Sequence, residues 1–287
     1  MTVTLPVKTK ALLFAMRPQT TFLAMIGVYV GGLVAGAFYS SFDLILAVVA
    51  AFFITSASMP FNDYIDRDVD KINHPNRAIP RGIISPKGIL FFSLFLFAIG
   101  IGLSFFVNWI VFGFSIVAFL LIMMYELYTK NKGIWSNMTV AFVSAMAFTF
   151  GGAAAISDTH VLSSITAGVV LSAMTFFAMT GREIIMDIRD SKGDELTRTT
   201  VPHQLGCKRA AAVANVFLLG TILLAPLPFI MQILSIWYLA VMAFAGLVIV
   251  LTMYWMYQDV NNAALCAETT RLASAIGLVA FIVGMLL

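Results

Sequence analysis

Long apolar segments recur along the whole chain, and they constrain its fold more than any other feature. A helix that crosses the hydrocarbon core of a bilayer needs about 20 mainly apolar residues. Because backbone groups in lipid must be hydrogen-bonded within the protein, we expect an all-α, multi-pass membrane protein. We predict about nine transmembrane helices, at residues 18–39, 43–61, 88–107, 109–125, 138–156, 162–186, 209–228, 232–255 and 268–287.

The composition agrees with this prediction. Of the 287 residues, 61% are hydrophobic and only 11% are charged, whereas roughly 25% of the residues of an ordinary soluble domain are charged. No linker rich in Pro or Ser and no low-complexity tract interrupts the chain. We therefore expect one domain, residues 1–287.

Positive charges are confined to one side of the predicted bundle. With nine spans, that side carries the N-terminus and the segments 62–87, 126–137, 187–208 and 256–267. All 17 Lys and Arg residues lie there or just inside the adjoining helix ends. The positive-inside rule predicts that this side, with the N-terminus, faces the cytoplasm of a cell membrane. The net charge of +3 is therefore a topological signal, and we expect no nucleic-acid binding.

Two acidic clusters interrupt the apolar pattern, each at the end of a predicted span. The first is NDYIDRDVD, residues 62–70, and the second is REIIMDIRDSKGD, residues 182–194. Four spans lie between equivalent positions, so both clusters face the same side of the membrane. Each is followed by a polar loop that contains proline. This arrangement indicates a parallel internal repeat of about four helices.

Helical phasing places the first cluster on one face. At about 100° per residue, Asn62, Asp63, Asp66 and Asp70 share that face, whereas Asp68 points elsewhere. Like charges at this spacing repel one another, and they are costly near a low dielectric. A cation is therefore expected to offset them.

The second cluster has the same phasing. Asp187, Asp190 and Asp194 fall within about 60° of one another, and Glu183 extends their stripe by one turn toward the membrane. Nearby Lys and Arg side chains could offset the acids, but carboxylates without His or Cys suit Mg²⁺ above all. Mg²⁺ commonly joins carboxylates to phosphates. Two such faces predict a diphosphate held between metals, whereas solvated helix ends are the alternative.

In these motifs the sequence resembles the UbiA superfamily of intramembrane prenyltransferases. Its NDxxDxxxD signature matches residues 62–70, and its second, DxxxD motif matches residues 190–194. INHPNRAIPRGIIS resembles a family loop that contributes Arg77, with alanine where a proline is usual. YELYTKNKGIWSN resembles the loop that contributes Tyr125 and Lys130 to phosphate binding.

The resemblance implies a helical bundle with a cytoplasmic-side active site that transfers a prenyl group from a diphosphate donor to an acceptor. It also implies two Mg²⁺ ions, with catalytic roles for Asp66, Asp70, Asp190 and Asp194. The implied metal ligands are Asn62, Asp66, Asp70, Asp187, Asp190 and Asp194. The implied diphosphate contacts are Arg77, Tyr125 and Lys130. Further candidates for substrate binding, from their charge and position alone, are Asp63, Arg67, Lys192 and Arg198.

Some roles stay open at this stage. MRPQT resembles the Arg-Pro opening of the family's first span, but Gln19 or Thr20 stands where asparagine is expected, which leaves the role of Arg17 undecided. Asp63, Glu183 or the released diphosphate could take the acceptor's proton.

Within the superfamily, the second motif followed by RTTVPHQLG is most similar to the archaeal branch that makes ether lipids. That branch transfers a geranylgeranyl group from geranylgeranyl diphosphate to the free hydroxyl of geranylgeranylglyceryl phosphate. The implied partners are thus a prenyl diphosphate and a lipid-like acceptor within the membrane. An aromatic or tetrapyrrole acceptor is the alternative.

Two other classes fit less well. A cation-coupled transporter would carry its acids near the bilayer midplane, whereas these clusters lie at helix ends. A CDP-alcohol phosphotransferase would place a Gly-Ala-Arg run inside its aspartate motif, and NDYIDRDVD has none.

Overall fold

The computed structural model describes residues 7–194 and 199–287, with residues 73 and 192–194 described by backbone alone. Within these ranges the regular structure is entirely helical, which confirms the all-α prediction. The long helices are α2 (Pro18–Val34), α3 (Phe42–Ile65), α5 (Pro86–Phe105), α6 (Trp109–Met124), α7 (Ile134–Ala154), α9 (Ser164–Asp194), α11 (Cys207–Leu224), α13 (Ile236–Gln258) and α14 (Ala263–Leu286). The short helices are α1 (Val7–Ala15), α4 (Asp70–Asn73), α8 (Ile156–Thr159), α10 (Val201–Leu205) and α12 (Leu227–Ile230).

The number of membrane spans agrees with the prediction of about nine. In the described part of the chain, eight helices are long and apolar enough to cross a bilayer. A ninth span results if α1 and α2, which meet at a 47° bend, are counted as one. The protein is therefore a multi-pass membrane protein.

Two predicted boundaries differ from the structure, and both concern the acidic clusters. The sixth span was expected to end at residue 186, but α9 continues to Asp194. Ile184, Ile185 and Ile188 are buried in one apolar cluster with Val201 and the start of α11, and this contact stabilises the last turns of the helix.

The first cluster, by contrast, does not form one continuous helix. α3 ends at Ile65, residues 66–69 form a turn, and α4 begins at Asp70. Asp68 and Val69 are exposed, so no apolar face supports a longer helix there. The helical phasing used for residues 62–70 is therefore wrong beyond Ile65.

Close backbone contacts hold α2, α7 and α9 together at the centre of the bundle. A Cβ atom on Gly151 would collide with the backbone carbonyl of Val28, and one on Gly168 would collide with that of Phe148. Small residues at such crossings let transmembrane helices approach closely. Around this centre α3 packs on α5, α9 packs on α11, and α13 packs on α14.

Candidate active site

A bend in the backbone brings Arg17 to the first acidic cluster. Arg17 lies between α1 and α2 with φ 47° and ψ 69°, a left-handed conformation that is uncommon for residues with a Cβ atom. The following Pro18 disfavours the right-handed helical conformation at Arg17. The guanidinium Nη2 lies 3.1 Å from Asp63 Oδ1 and 3.5 Å from Asn62 Oδ1. Arg17, whose role the sequence left open, thus faces the cluster.

Arg77 joins two aspartates of the same cluster. Its Nη1 lies 2.6 Å from Asp70 Oδ2 and 3.2 Å from Asp63 Oδ1. The two carboxylates are nearly buried, with 4% and 10% of their side chains exposed. Asp63 is therefore paired with two guanidinium groups, Arg17 and Arg77, and the predicted substrate residues Asp63 and Arg77 lie together.

Lys130 joins the other side of the cluster. Its Nζ lies 2.7 Å from both carboxylate oxygens of Asp66 and 2.7 Å from Glu126 Oε2. Asn62 Nδ2 donates a hydrogen bond of 2.9 Å to Glu126 Oε1. Asn62 and Asp66, two predicted metal ligands, are thus linked through Glu126 and Lys130.

Glu126 is a residue that the sequence analysis missed. Its side chain is only 4% exposed, which is rare for a carboxylate and indicates a specific role. The available signal was an acid at the end of a predicted span, one helical turn before Lys130.

A π-helical turn at Tyr125–Thr129 supports this arrangement. The backbone N–H of Lys130 donates to the carbonyl of Tyr125, five residues earlier, at 2.9 Å. Single π-turns inside α-helices are frequent at functional sites. The Lys130 ammonium also lies 6.0 Å from the centre of the Tyr125 ring.

Arg67 and Asp68 lie at the edge of the cluster. Arg67 Nη1 donates to the Tyr64 carbonyl at 2.9 Å, and its guanidinium lies over the Tyr64 ring. Asp68 is exposed and pairs with Lys71, whose hydrogen bond holds the pKa of Asp68 below its usual range. Both residues thus make their hydrogen bonds and ion pairs within the segment 64–71.

The second cluster is also held by side-chain contacts. Asn137 Nδ2 donates a hydrogen bond of 2.8 Å to Asp187 Oδ2. Asp190 accepts two hydrogen bonds of 2.7 Å from Arg189, and Arg182 pairs with Glu183 at 3.2 Å. The side chains of Lys192, Asp194 and Arg198, which were predicted to bind metal or substrate, lie outside the described residues.

One segment, residues 126–137, contacts both clusters. At its start Glu126 and Lys130 bind the first cluster, and at its end Asn137 binds Asp187 of the second. Between them, the backbone N–H of Gly133 donates to the carbonyl of Thr199, in the loop that follows the second cluster. Residues 126–137 therefore connect the two clusters, although these are far apart in the sequence.

An apolar cavity of about 590 Å³ extends from the first cluster into the bundle. Its polar end is lined by Arg17, Asn62, Tyr125 and Glu126. Its body lies between α2, α3, α6, α7, α9, α11, α13 and α14, and its apolar lining includes Phe148, Met174, Met179, Met242 and Phe281. The volume falls in the range of about 300–1,000 Å³ that small-molecule sites occupy.

Charged groups thus surround the entrance of a long apolar cavity inside a membrane bundle. The sequence model of the UbiA prenyltransferase family matches residues 24–286 of the chain. The chain belongs to this family. It is therefore a prenyltransferase, and the resemblance in the motifs is confirmed.

Individual relatives resemble the chain over most of its length. Digeranylgeranylglyceryl phosphate synthase of Natronomonas pharaonis is 31% identical over 281 residues, which cover 97% of this chain and 98% of the relative. The enzyme of the same name from Halobacterium salinarum is 33% identical over 274 residues, covering 94% and 95%.

Solved structures show the same fold. A structure concerned with digeranylgeranylglyceryl phosphate synthase in membranes has a TM-score of 0.84 at 26% identity and covers 97% of this chain and 98% of its own. A UbiA homologue from Archaeoglobus fulgidus bound to GPP and Mg²⁺ has a TM-score of 0.65 at 17% identity, with 95% of this chain and 100% of its own chain covered. At this low identity, the similarity to the Archaeoglobus fulgidus protein supports a shared fold only.

Proposed function

We propose that this protein transfers a geranylgeranyl group from geranylgeranyl diphosphate to the free hydroxyl of geranylgeranylglyceryl phosphate. The product would carry the second ether bond of an archaeal membrane lipid. The observation that carries the proposal is Arg17 at the polar end of the 590 Å³ apolar cavity, with Arg77 and Lys130 beside it on the acids Asp63 and Glu126. The relatives named digeranylgeranylglyceryl phosphate synthase support this choice of donor and acceptor.

The donor fits the site in one orientation. Its diphosphate is attracted to Arg17, Arg77 and Lys130, which lie at or beside the polar end of the cavity. Its hydrocarbon chain lies along the apolar body, where flexible methionine side chains adapt to its shape. Burying the chain in this way also keeps water away from the reacting carbon.

Oxygen donors in both clusters fit Mg²⁺. We propose that Asn62, Asp66 and Asp70 hold one ion, and that Asp187, Asp190 and Asp194 hold the other. Among the described side chains, which do not include that of Asp194, no three His, Cys, Asp or Glu groups converge as a ready metal site. In the first cluster, Arg77 and Lys130 hold the acids. In the second cluster, the buried Oδ1 of Asn137 has no hydrogen-bond partner among the described residues. This oxygen, beside Asp187, is available to a cation or its water.

The residues of the site stabilise the leaving group. The allylic carbon–oxygen bond breaks with its electron pair on the diphosphate, and bound Mg²⁺ supplies charge that stabilises this group. Arg17, Arg77 and Lys130 add fixed positive charge in a partly dry site, where it acts most strongly. The acceptor oxygen bonds to the carbon, and its proton passes to the released diphosphate or to a carboxylate.

The positions of the positive charges support an active site that faces the cytoplasm. Both clusters and their loops carry Lys and Arg, whereas the opposite loops, such as YSSFD and SDTH, carry neither.

An acceptor panel tests the proposal. Purified protein with Mg²⁺ and geranylgeranyl diphosphate is expected to alkylate geranylgeranylglyceryl phosphate and to release diphosphate. A chelator should abolish both. Alkylation of only an aromatic acid or a porphyrin would contradict the lipid acceptor. Full activity of both Asp66→Ala and Asp194→Ala would contradict the two-metal assignment.

A further inference from the structure

A smaller cavity of about 210 Å³ lies beside the large one and shares part of its wall. It lies between α11 and α13, and three residues, Thr221, Met242 and Ile249, line both cavities. The exposed Ala243 and the partly exposed Gly246 also line the smaller cavity, so it reaches the outer surface of the bundle. We name it the α11–α13 branch.

The lining of the α11–α13 branch favours hydrocarbon. Thr221 supplies its one polar side chain, and the Thr221 hydroxyl already donates to the Phe217 carbonyl at 3.4 Å. The other side chains that line the branch are aliphatic, prolyl or thioether groups. Nothing in this described lining selects a charged or hydrogen-bonding ligand.

The α11–α13 branch lies on different helices from the polar end of the large cavity. Arg17, Asn62 and Glu126 belong to the start of α2, to α3 and to the π-turn, whereas α11 and α13 supply the lining that the two cavities share. Because none of these polar residues lines the branch, only the distal end of a chain whose diphosphate is bound beside Arg17 would approach it.

We infer that the α11–α13 branch receives the distal isoprene units of the prenyl donor and lets a long chain extend toward the surrounding lipid. This inference rests on the proposed function. Met242 is a buried wall residue of both cavities, and its flexible thioether can move to admit the chain. Gly246 borders open space in the branch, since a Cβ atom built there meets no atom within 4 Å.

Substitution of Gly246 tests the role of the branch. Gly246→Leu is expected to lower kcat/KM for geranylgeranyl diphosphate about tenfold or more relative to geranyl diphosphate, because a filled apolar pocket rejects added carbons. Gly102→Leu is the matched control, since Gly102 lies on α5 in open space and lines neither cavity. An unchanged ratio, or an equal loss with both donors in folded protein, would overturn the inference.

Photolabelling of the unaltered protein tests the same inference without depending on catalysis. A geranylgeranyl diphosphate analogue with a photoreactive distal end is expected to label residues that line the α11–α13 branch alone, such as Ile222, Leu239 and Ala243. Labelling confined to α2, α3 or α7 would overturn the inference and leave the proposed transfer intact. Failure of the protein to release diphosphate from any prenyl donor would instead contradict the proposed function.

Discussion

Both carboxylate oxygens of Asp66 accept hydrogen bonds of 2.7 Å from the ammonium group of Lys130. The same ammonium binds the buried Glu126, so one lysine neutralises two acids at the mouth of the cavity. Arg77 does the same for Asp63 and Asp70. A metal ion or diphosphate that enters the site must therefore exchange with these internal ion pairs.

Replacing Lys130 separates two effects of its charge, which are stabilisation of the diphosphate and competition with metal for Asp66 and Glu126. Lys130→Gln is expected to lower kcat about 10²–10³-fold, the usual cost of removing one group that stabilises charge on the reacting atoms. Mg²⁺ should nevertheless bind more tightly, because Asp66 and Glu126 lose their competing cation. Binding of Mn²⁺, followed by electron paramagnetic resonance, measures this change. Lys132→Gln, at an exposed site two residues on, is the control, and weaker metal binding by Lys130→Gln would contradict the argument.

Replacing Arg77 should destabilise the fold as well as lower the activity. Arg77→Ala leaves Asp63 and Asp70 without this partner, and loss of one member of a buried ion pair costs about 3–5 kcal/mol. We expect the loss in free energy of unfolding to be at the lower end of this range, because Arg17 still pairs with Asp63 and Arg77 is itself 26% exposed. Thermal unfolding in detergent measures the effect. Arg81→Ala, at an exposed position in the same loop, should unfold like the unaltered protein.

Enlarging Gly151 should separate α2 from α7. Gly151→Ala places a methyl group against the carbonyl of Val28, and such overpacking typically costs about 1–3 kcal/mol. The expected result is a lower unfolding temperature and a loss of activity, although Gly151 itself does not line the cavity. Gly113→Ala, in open space on α6, should change neither. Equal stability of the two variants would refute the proposed close contact.

Thiol labelling tests the orientation in the membrane. In a Cys207→Ser background, where the remaining Cys266 is buried, Lys132→Cys and Ser40→Cys place single exposed thiols on opposite sides of the bundle. A membrane-impermeant maleimide added to intact cells is expected to label the cysteine at position 40 but not that at 132. Inverted vesicles should give the reverse pattern. Labelling of position 132 from outside would place the active site on the other face.

Much of the fold follows from local properties of the sequence. Apolar runs of about 20 residues require membrane helices wherever they occur, so the all-α class and about nine spans were predicted. Helix ends in polar segments were harder to predict. α9 continues to Asp194 because Ile184, Ile185 and Ile188 find apolar partners on other segments, and such contacts cannot be read from one stretch of sequence.

The candidate site shows the same division. The acidic motifs, Arg77 and Lys130 were identified from the sequence, whereas Glu126 was missed because an acid near a helix end is usually solvated. Its burial depends on Asn62 from α3 and on the π-turn that carries it. The proposed ligand and substrate roles of these residues remain predictions.

The sequence by itself determined that this chain is a helical membrane protein with two acidic motifs of the UbiA family, because hydrophobic run length and motif spacing are local quantities. Only the tertiary structure decided which polar side chain meets which acid. Arg17 reaches Asp63, and Asn137 reaches Asp187, through a backbone bend and through helix packing. The cavity has the same origin, since its walls come from helices whose relative positions are set by the packing of the whole bundle.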